Sequence, residues 1–142
     1  MGGTLAADYA LPFSALTLGL ESGFLHAKAT TIDSSFNLVT GGIGVIPILL
    51  RIGYHPDVGI EKLDVYALAK LGYGIGFLTG DSKGNGKPKG FAYGFDIGAR
   101  YFFTKSIGAF AEGGYEYYFL RDSGLSSSYA NRFVTAGVTF KL

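Results

Sequence analysis

The chain has 142 residues, of which 23 are Gly, 12 Phe and 10 Tyr, with neither Cys nor Trp; 48% are apolar, 16% are charged, and the formal net charge is +1. One domain, 1–142, suits that length, and the aromatic content with little charge excludes disorder. The lack of Cys excludes a disulfide framework or a thiolate metal site, and the balanced charge excludes a general nucleic-acid binder. The charged share lies below the roughly 25% of soluble domains, and Gly is about double its usual share.

Helix signals are poor, because Gly recurs every few residues and costs about 1 kcal/mol in a helix interior. The longest apolar run, 43–50, ends at Arg51, well short of the ~20 residues a spanning helix needs. The first residues, Met-Gly-Gly-Thr-Leu, show no basic segment followed by an apolar one, so no signal peptide is read in this sequence. The persistent signal is alternation with period two, which predicts an all-β chain.

In chain order, strands are expected at 4–11, 15–28, 37–54, 64–79, 90–103, 108–120 and 132–142. In the first, Leu5, Ala7, Tyr9 and Leu11 oppose Thr4, Ala6 and Asp8; in the second, Leu16, Leu18, Leu20 and Phe24 oppose Thr17, Gly19, Glu21 and Gly23. The third is less regular, with Ile46, Ile48, Leu50, Ile52 and Tyr54 opposite Arg51. The fourth sets Val65, Leu71, Tyr73, Ile75 and Phe77 against Asp64, Tyr66, Lys70 and three Gly. The fifth sets Tyr93, Phe95, Ile97, Ala99 and Tyr101 against Gly94, Asp96, Gly98 and Arg100. The sixth sets Ala109, Ala111, Tyr115, Tyr117 and Phe119 against Glu112, Gly114, Glu116 and Tyr118, and the last sets Val134, Ala136, Val138, Phe140 and Leu142 against Thr135, Gly137, Thr139 and Lys141. Short connections (12–14, 55–62, 104–106) alternate with longer polar ones (29–36, 80–89, 121–131), the rhythm of an up-and-down meander.

The less apolar face is rich in Gly with about one charge per strand. A water-exposed strand face would carry more Lys, Glu and Thr. Small residues with a few paired charges suit the crowded lumen of a narrow barrel, leaving the apolar face for lipid. Tyr54, Tyr73, Phe77, Tyr101, Phe103, Tyr117 and Phe119 are then expected as interfacial aromatic girdles.

Segments 95–103 and 109–117, and the C-terminal run Arg-Phe-Val-Thr-Ala-Gly-Val-Thr-Phe-Lys-Leu, resemble the small bacterial outer-membrane β-barrels of the OmpX/OmpA transmembrane-domain type. The resemblance implies an antiparallel up-and-down transmembrane β-barrel of the eight-stranded class, located in the bacterial outer membrane after loss of a signal peptide. It also implies that Val138, Phe140 and Leu142 form the C-terminal insertion signal read by the barrel-assembly machinery, although Leu142 stands where that class has Phe. Seven strands depart from the even counts of bacterial barrels. A trimmed first strand, a strand from another chain and an unusual barrel are all left open. A turn at Gly41-Gly42 would add a strand, but 36–40 is too short to span.

On the inward faces the acids are Asp8, Glu21, Asp96, Glu112 and Glu116, and the bases are Arg51, Lys70 and Arg100. These are expected to form a structural ion-pair network, an ion pathway being the rival reading. Gly72, Gly74 and Gly76 share one strand face, so they serve packing rather than phosphate binding. Gly80-Asp81-Ser82-Lys83-Gly84 has the letters of a nucleophile elbow but lies in a polar loop, and 81–86 fails as a calcium loop because Lys83 occupies a ligand position. His26 and His55 are too far apart for a metal pair. No catalytic residue, metal or cofactor is assigned. Lys83, Lys87 and Lys89 form a basic loop patch that could meet lipopolysaccharide, and Arg121, Asp122 and Ser126 to Ser128 are read as an exposed loop. The expected function is a non-enzymatic outer-membrane scaffold displaying surface loops for envelope integrity or adhesion. The rivals are a narrow pore and a soluble lipocalin-like barrel holding an apolar ligand.

Overall fold

The period-two alternation folds into seven strands: β1 (Gly2–Ala10), β2 (Leu16–Ile32), β3 (Leu38–Tyr54), β4 (Leu63–Gly80), β5 (Lys89–Phe102), β6 (Ile107–Asp122) and β7 (Leu125–Phe140). The computed structural model describes residues 2–12, 14–32, 38–80, 87–122 and 125–140, and holds no helix among them. Each strand pairs antiparallel with the next, giving one sheet in the order β1-β2-β3-β4-β5-β6-β7, curled into a half-barrel.

The ladders continue past the boundaries expected from composition. Residues 41 and 42 form no turn: they pair with Gly80 and Thr79 inside β3, so the third segment is one strand. The loop expected at 121–131 is largely the tip of the β6–β7 hairpin, whose ladder runs from Tyr118↔Tyr129 to Asp122↔Leu125. Asn is a weak strand former, but strand propensity yields to context where the opposite strand supplies hydrogen bonds, so polarity alone misplaced this boundary. At 16 residues, β6 extends about 53 Å at roughly 3.3 Å per residue.

Curling is fixed by side chains that meet across the concave face. Arg100 on β5 reaches Asp8 on β1, Arg51 on β3 approaches Glu112 on β6, and the Lys70 ammonium on β4 lies 5.2 Å from the Phe133 ring centre on β7. The concave side also buries Val45, Leu49, Ala92, Tyr118 and Leu120, with Leu25, Ile43 and Tyr129 packed against them. Two glycines permit this crowding. A Cβ at Gly72 would strike the Ile48 carbonyl oxygen of the adjacent strand, and one at Gly98 would fall 2.6 Å from the Tyr66 ring and hydroxyl. Pro47 is buried within β3, and the β2–β3 register skips the pairs at Gly23 and Phe24 opposite it. A residue without an N–H interrupts a ladder in this way.

The convex side has the opposite character. Leu18, Leu20, Ile48, Leu50, Ile52, Leu71, Ile75, Phe95 and Ile97 are all exposed there.

Candidate functional site

Alternation sends every second side chain of β1 to β6 to the concave side, and it is there that the charged residues converge. Glu21, Arg51, Lys70, Asp96, Glu112 and Glu116 are buried, while Asp8 and Arg100 are partly buried. Lys70 stands at the centre. Its Nζ lies 2.8 Å from Glu21 Oε2, 2.5 Å from Asp96 Oδ2 and 3.2 Å from Glu116 Oε1, joining β4 to β2, β5 and β6.

Arg51 forms a second node. Its guanidinium lies 3.3 Å from Asp8 Oδ1, 3.1 Å from Glu21 Oε2 and 3.9 Å from Glu112 Oε2. Arg100 forms the third, at 3.0 Å from Asp8 Oδ2 and 4.0 Å from Asp64 Oδ2, with its guanidinium 4.5 Å from the Tyr66 ring centre. Two phenols add donors: Tyr66 Oη donates to Glu112 Oε2 at 3.0 Å, and Tyr118 Oη donates to Glu116 Oε2 at 2.7 Å, while Asp96 Oδ1 is buried without a hydrogen-bond partner among the described residues. Buried ions persist only when paired and hydrogen-bonded, because each loses several kcal/mol of hydration. Every one of these eight charges meets an opposite charge within 4.0 Å.

Thus all eight residues expected on the inward faces are brought together. Sequence reasoning left out Asp64, Tyr66, Tyr118 and Phe133 from the cluster. Asp64 and Tyr66 already shared a face with Lys70 in the alternation, which was the available signal. Tyr118 likewise shared a face with Glu116, two residues away on the same strand, whereas Phe133 meets Lys70 only because the sheet curls.

A further polar chain lies at the end of the sheet that holds the short turns. His55 Nδ1 donates to Asp64 Oδ1 at 2.8 Å, since a carboxylate can only accept, and His55 Nε2 lies 3.1 Å from Thr17 Oγ1. The connectivity of hydroxyl, imidazole and carboxylate is also that of nucleophilic catalysis. Here Thr17 sits inside β2 between ladder partners Ala10 and Gly53, and Asp64 also faces Arg100. The arrangement ties β2 to the β3–β4 turn and to the start of β4. A groove of about 430 Å³ beside it is lined by residues 55–61 with Leu63 and Asp64.

The aromatic residues occupy two zones. Tyr54, Tyr101 and Phe103 lie at the short-turn end, with Tyr101 and Phe103 edge to face at 5.7 Å. Phe77, Tyr117 and Phe119 lie toward the other end, where Tyr117 meets Phe119 at 4.7 Å and Tyr93 at 5.6 Å. Tyr73 sits further inside β4 than a terminal girdle position. Lys87 and Lys89 are exposed, Lys89 pairing in register with Arg121; Val138 and Phe140 are exposed on the convex side of β7. Lys83 and Leu142 lie outside the described residues, as do 81–86, which hold the rejected calcium loop and all of the nucleophile-elbow letters except Gly80. No group of three or more metal-ligating side chains occurs among the described residues.

Comparison with known protein families, with curated proteins and with solved structures finds no match.

Proposed function

We propose that this chain is a membrane-embedded β-barrel scaffold of the bacterial outer membrane, with its interior sealed by ion pairs and its role non-enzymatic: envelope integrity or surface interaction through the hairpin ends. One observation carries the reading. The charges face the concave interior while an apolar, aromatic-edged surface covers the convex side, the inverse of a sheet that turns one face to water. In a soluble barrel, apolar side chains would turn inward, and an exposed apolar area of this extent would drive aggregation. A lipid solvent accounts for both faces, with the aromatic zones at its two interfaces and the basic Lys87 and Lys89 within reach of anionic headgroups.

The interior favours a scaffold over a pore. Lys70, Arg51 and their carboxylates bridge from β1 and β2 to β6, across the space a solute would use. An eight-stranded barrel is only wide enough for side chains to fill.

Ile48→Trp, on the convex side, and Lys105→Trp, in the exposed β5–β6 turn, test the reading in vesicles of brominated lipid. Strong quenching at 48 with weak quenching at 105 is expected. Equal, weak quenching at both positions would refute membrane embedding. Conductance steps in planar bilayers would replace the scaffold with the pore.

A further inference from the structure

The sheet has two free edges. Its order ends at β1 and β7, with no ladder joining them among the described residues. Four of the large apolar side chains stand out from the rest in exposure, and all four lie on these strands: Val134 at 87%, Leu5 at 83%, Phe140 at 70% and Tyr9 at 69%. Thr4 and Ala6, which face the concave side of β1, are exposed as well. The β1 edge therefore lacks a neighbour on both faces, while on β7 the exposure falls on the convex face and the concave-facing residues are half-buried.

Strand parity says what fits between them. Successive strands alternate in direction, so β1 and β7, both odd, run the same way. Direct pairing of β1 with β7 would be parallel, against six antiparallel ladders. A second copy rotated about the barrel axis would meet the same obstacle, since its β1 would lie parallel to β7. One strand running opposite to both edges satisfies each with the ladder type already present. Unpaired backbone groups cannot be left to hydrocarbon, which offers no hydrogen bonds. The interior also sets the chemistry of that strand: among the described residues six acids, Asp8, Glu21, Asp64, Asp96, Glu112 and Glu116, face three bases, Arg51, Lys70 and Arg100.

We infer that the seam between β1 and β7 receives one β-strand from outside residues 1–142, antiparallel to both edges, with apolar side chains turned to lipid and small or cationic ones turned inward. This rests on the membrane reading above. The occupant is a single extended peptide segment, recognised by backbone pairing and by the acidic surplus of the interior.

The test is amide hydrogen exchange on the full chain refolded in detergent micelles. It is run alone, with an 11-residue peptide alternating Leu with Thr and Lys, and with a peptide of the same composition and no alternation. Protection of Thr4, Ala6, Val134 and Ala136, whose amides point away from the β1–β2 and β6–β7 ladders, is expected to rise by about tenfold or more with the alternating peptide only. Edge amides already as protected as those of Leu50 and Phe95 in the chain alone would overturn the inference, since the chain would then close by itself or with a second copy; cross-linking tells those apart. Edges that stay unprotected with the alternating peptide, or that respond equally to both peptides, would overturn it too. Loss of protection at Leu50 and Phe95 in every arm would instead bring down the membrane reading on which it rests.

Discussion

Replacing Lys70 with Met removes the central cation while keeping most of its volume. In the native interior the ammonium is flanked by Glu21 at 2.8 Å, Asp96 at 2.5 Å and Glu116 at 3.2 Å. At an effective dielectric of ~20 each contact represents about 5–7 kcal/mol of attraction. Much of that is offset by the hydration Lys70 gave up on burial, and after substitution the carboxylates relax or take up protons. The net loss on removing one partner of a buried ion pair is typically about 3–5 kcal/mol. Three carboxylates share this partner, so Lys70→Met is expected at the upper end of that range. The assay is equilibrium urea unfolding in detergent micelles, followed by far-UV circular dichroism, for wild type, Lys70→Met, Asp96→Asn and the double variant. Removing the acid as well relieves repulsion, so the double variant is expected to regain roughly 1–3 kcal/mol over Lys70→Met. A loss below about 1 kcal/mol for Lys70→Met, or strict additivity in the cycle, would refute the claim that Lys70 organises the interior.

Three further outcomes are expected, the first two in the same assay and the third in lipid vesicles. Arg100→Ala should cost about 1–3 kcal/mol, because Asp8 loses a charged hydrogen bond and Tyr66 loses its cation, whereas Lys105→Ala in the exposed turn should stay within about 0.5 kcal/mol. Gly98→Val should cost about 1–3 kcal/mol by forcing its side chain onto Tyr66 and the Glu112 Cβ, and should break the hydrogen bond from Tyr66 to Glu112; an unchanged ultraviolet tyrosine spectrum and midpoint would count against that packing. Leu50→Arg, on the convex side of β3, should cost about 2–4 kcal/mol in lipid vesicles. A negligible effect there would place Leu50 in water.

Strand placement was legible because alternation is local. The faces of 64–79 and 90–103 follow residue by residue from the order of Val65, Tyr66, Ala67 and Leu68 onward, and the structure keeps those faces. Arg51 and Lys70, Asp96 and Gly114, and Gly98 and Glu112 fall opposite each other once the registers are set, so the interior charges could be gathered from faces alone. Contacts between non-adjacent strands could not. Arg100 meeting Asp8 spans 92 positions, and Phe133 meeting Lys70 depends on curvature accumulated over four strands. The hairpin of β6 and β7 was misjudged because Ser126, Ser127 and Asn131 carry the composition of a loop while their backbones continue a ladder. The tie from Thr17 through His55 to Asp64 was invisible for another reason: two of its members lie near a turn whose path brings His55 back under β2.

The most direct test of the inside-out distribution is refolding of the full chain from urea with and without detergent micelles. Far-UV circular dichroism and gel mobility before and after boiling would both be recorded. The account predicts a β spectrum and a heat-dependent mobility shift only when detergent is present. A stable, cooperative β spectrum in plain buffer would contradict it, because the apolar convex face could not then be the one that requires lipid.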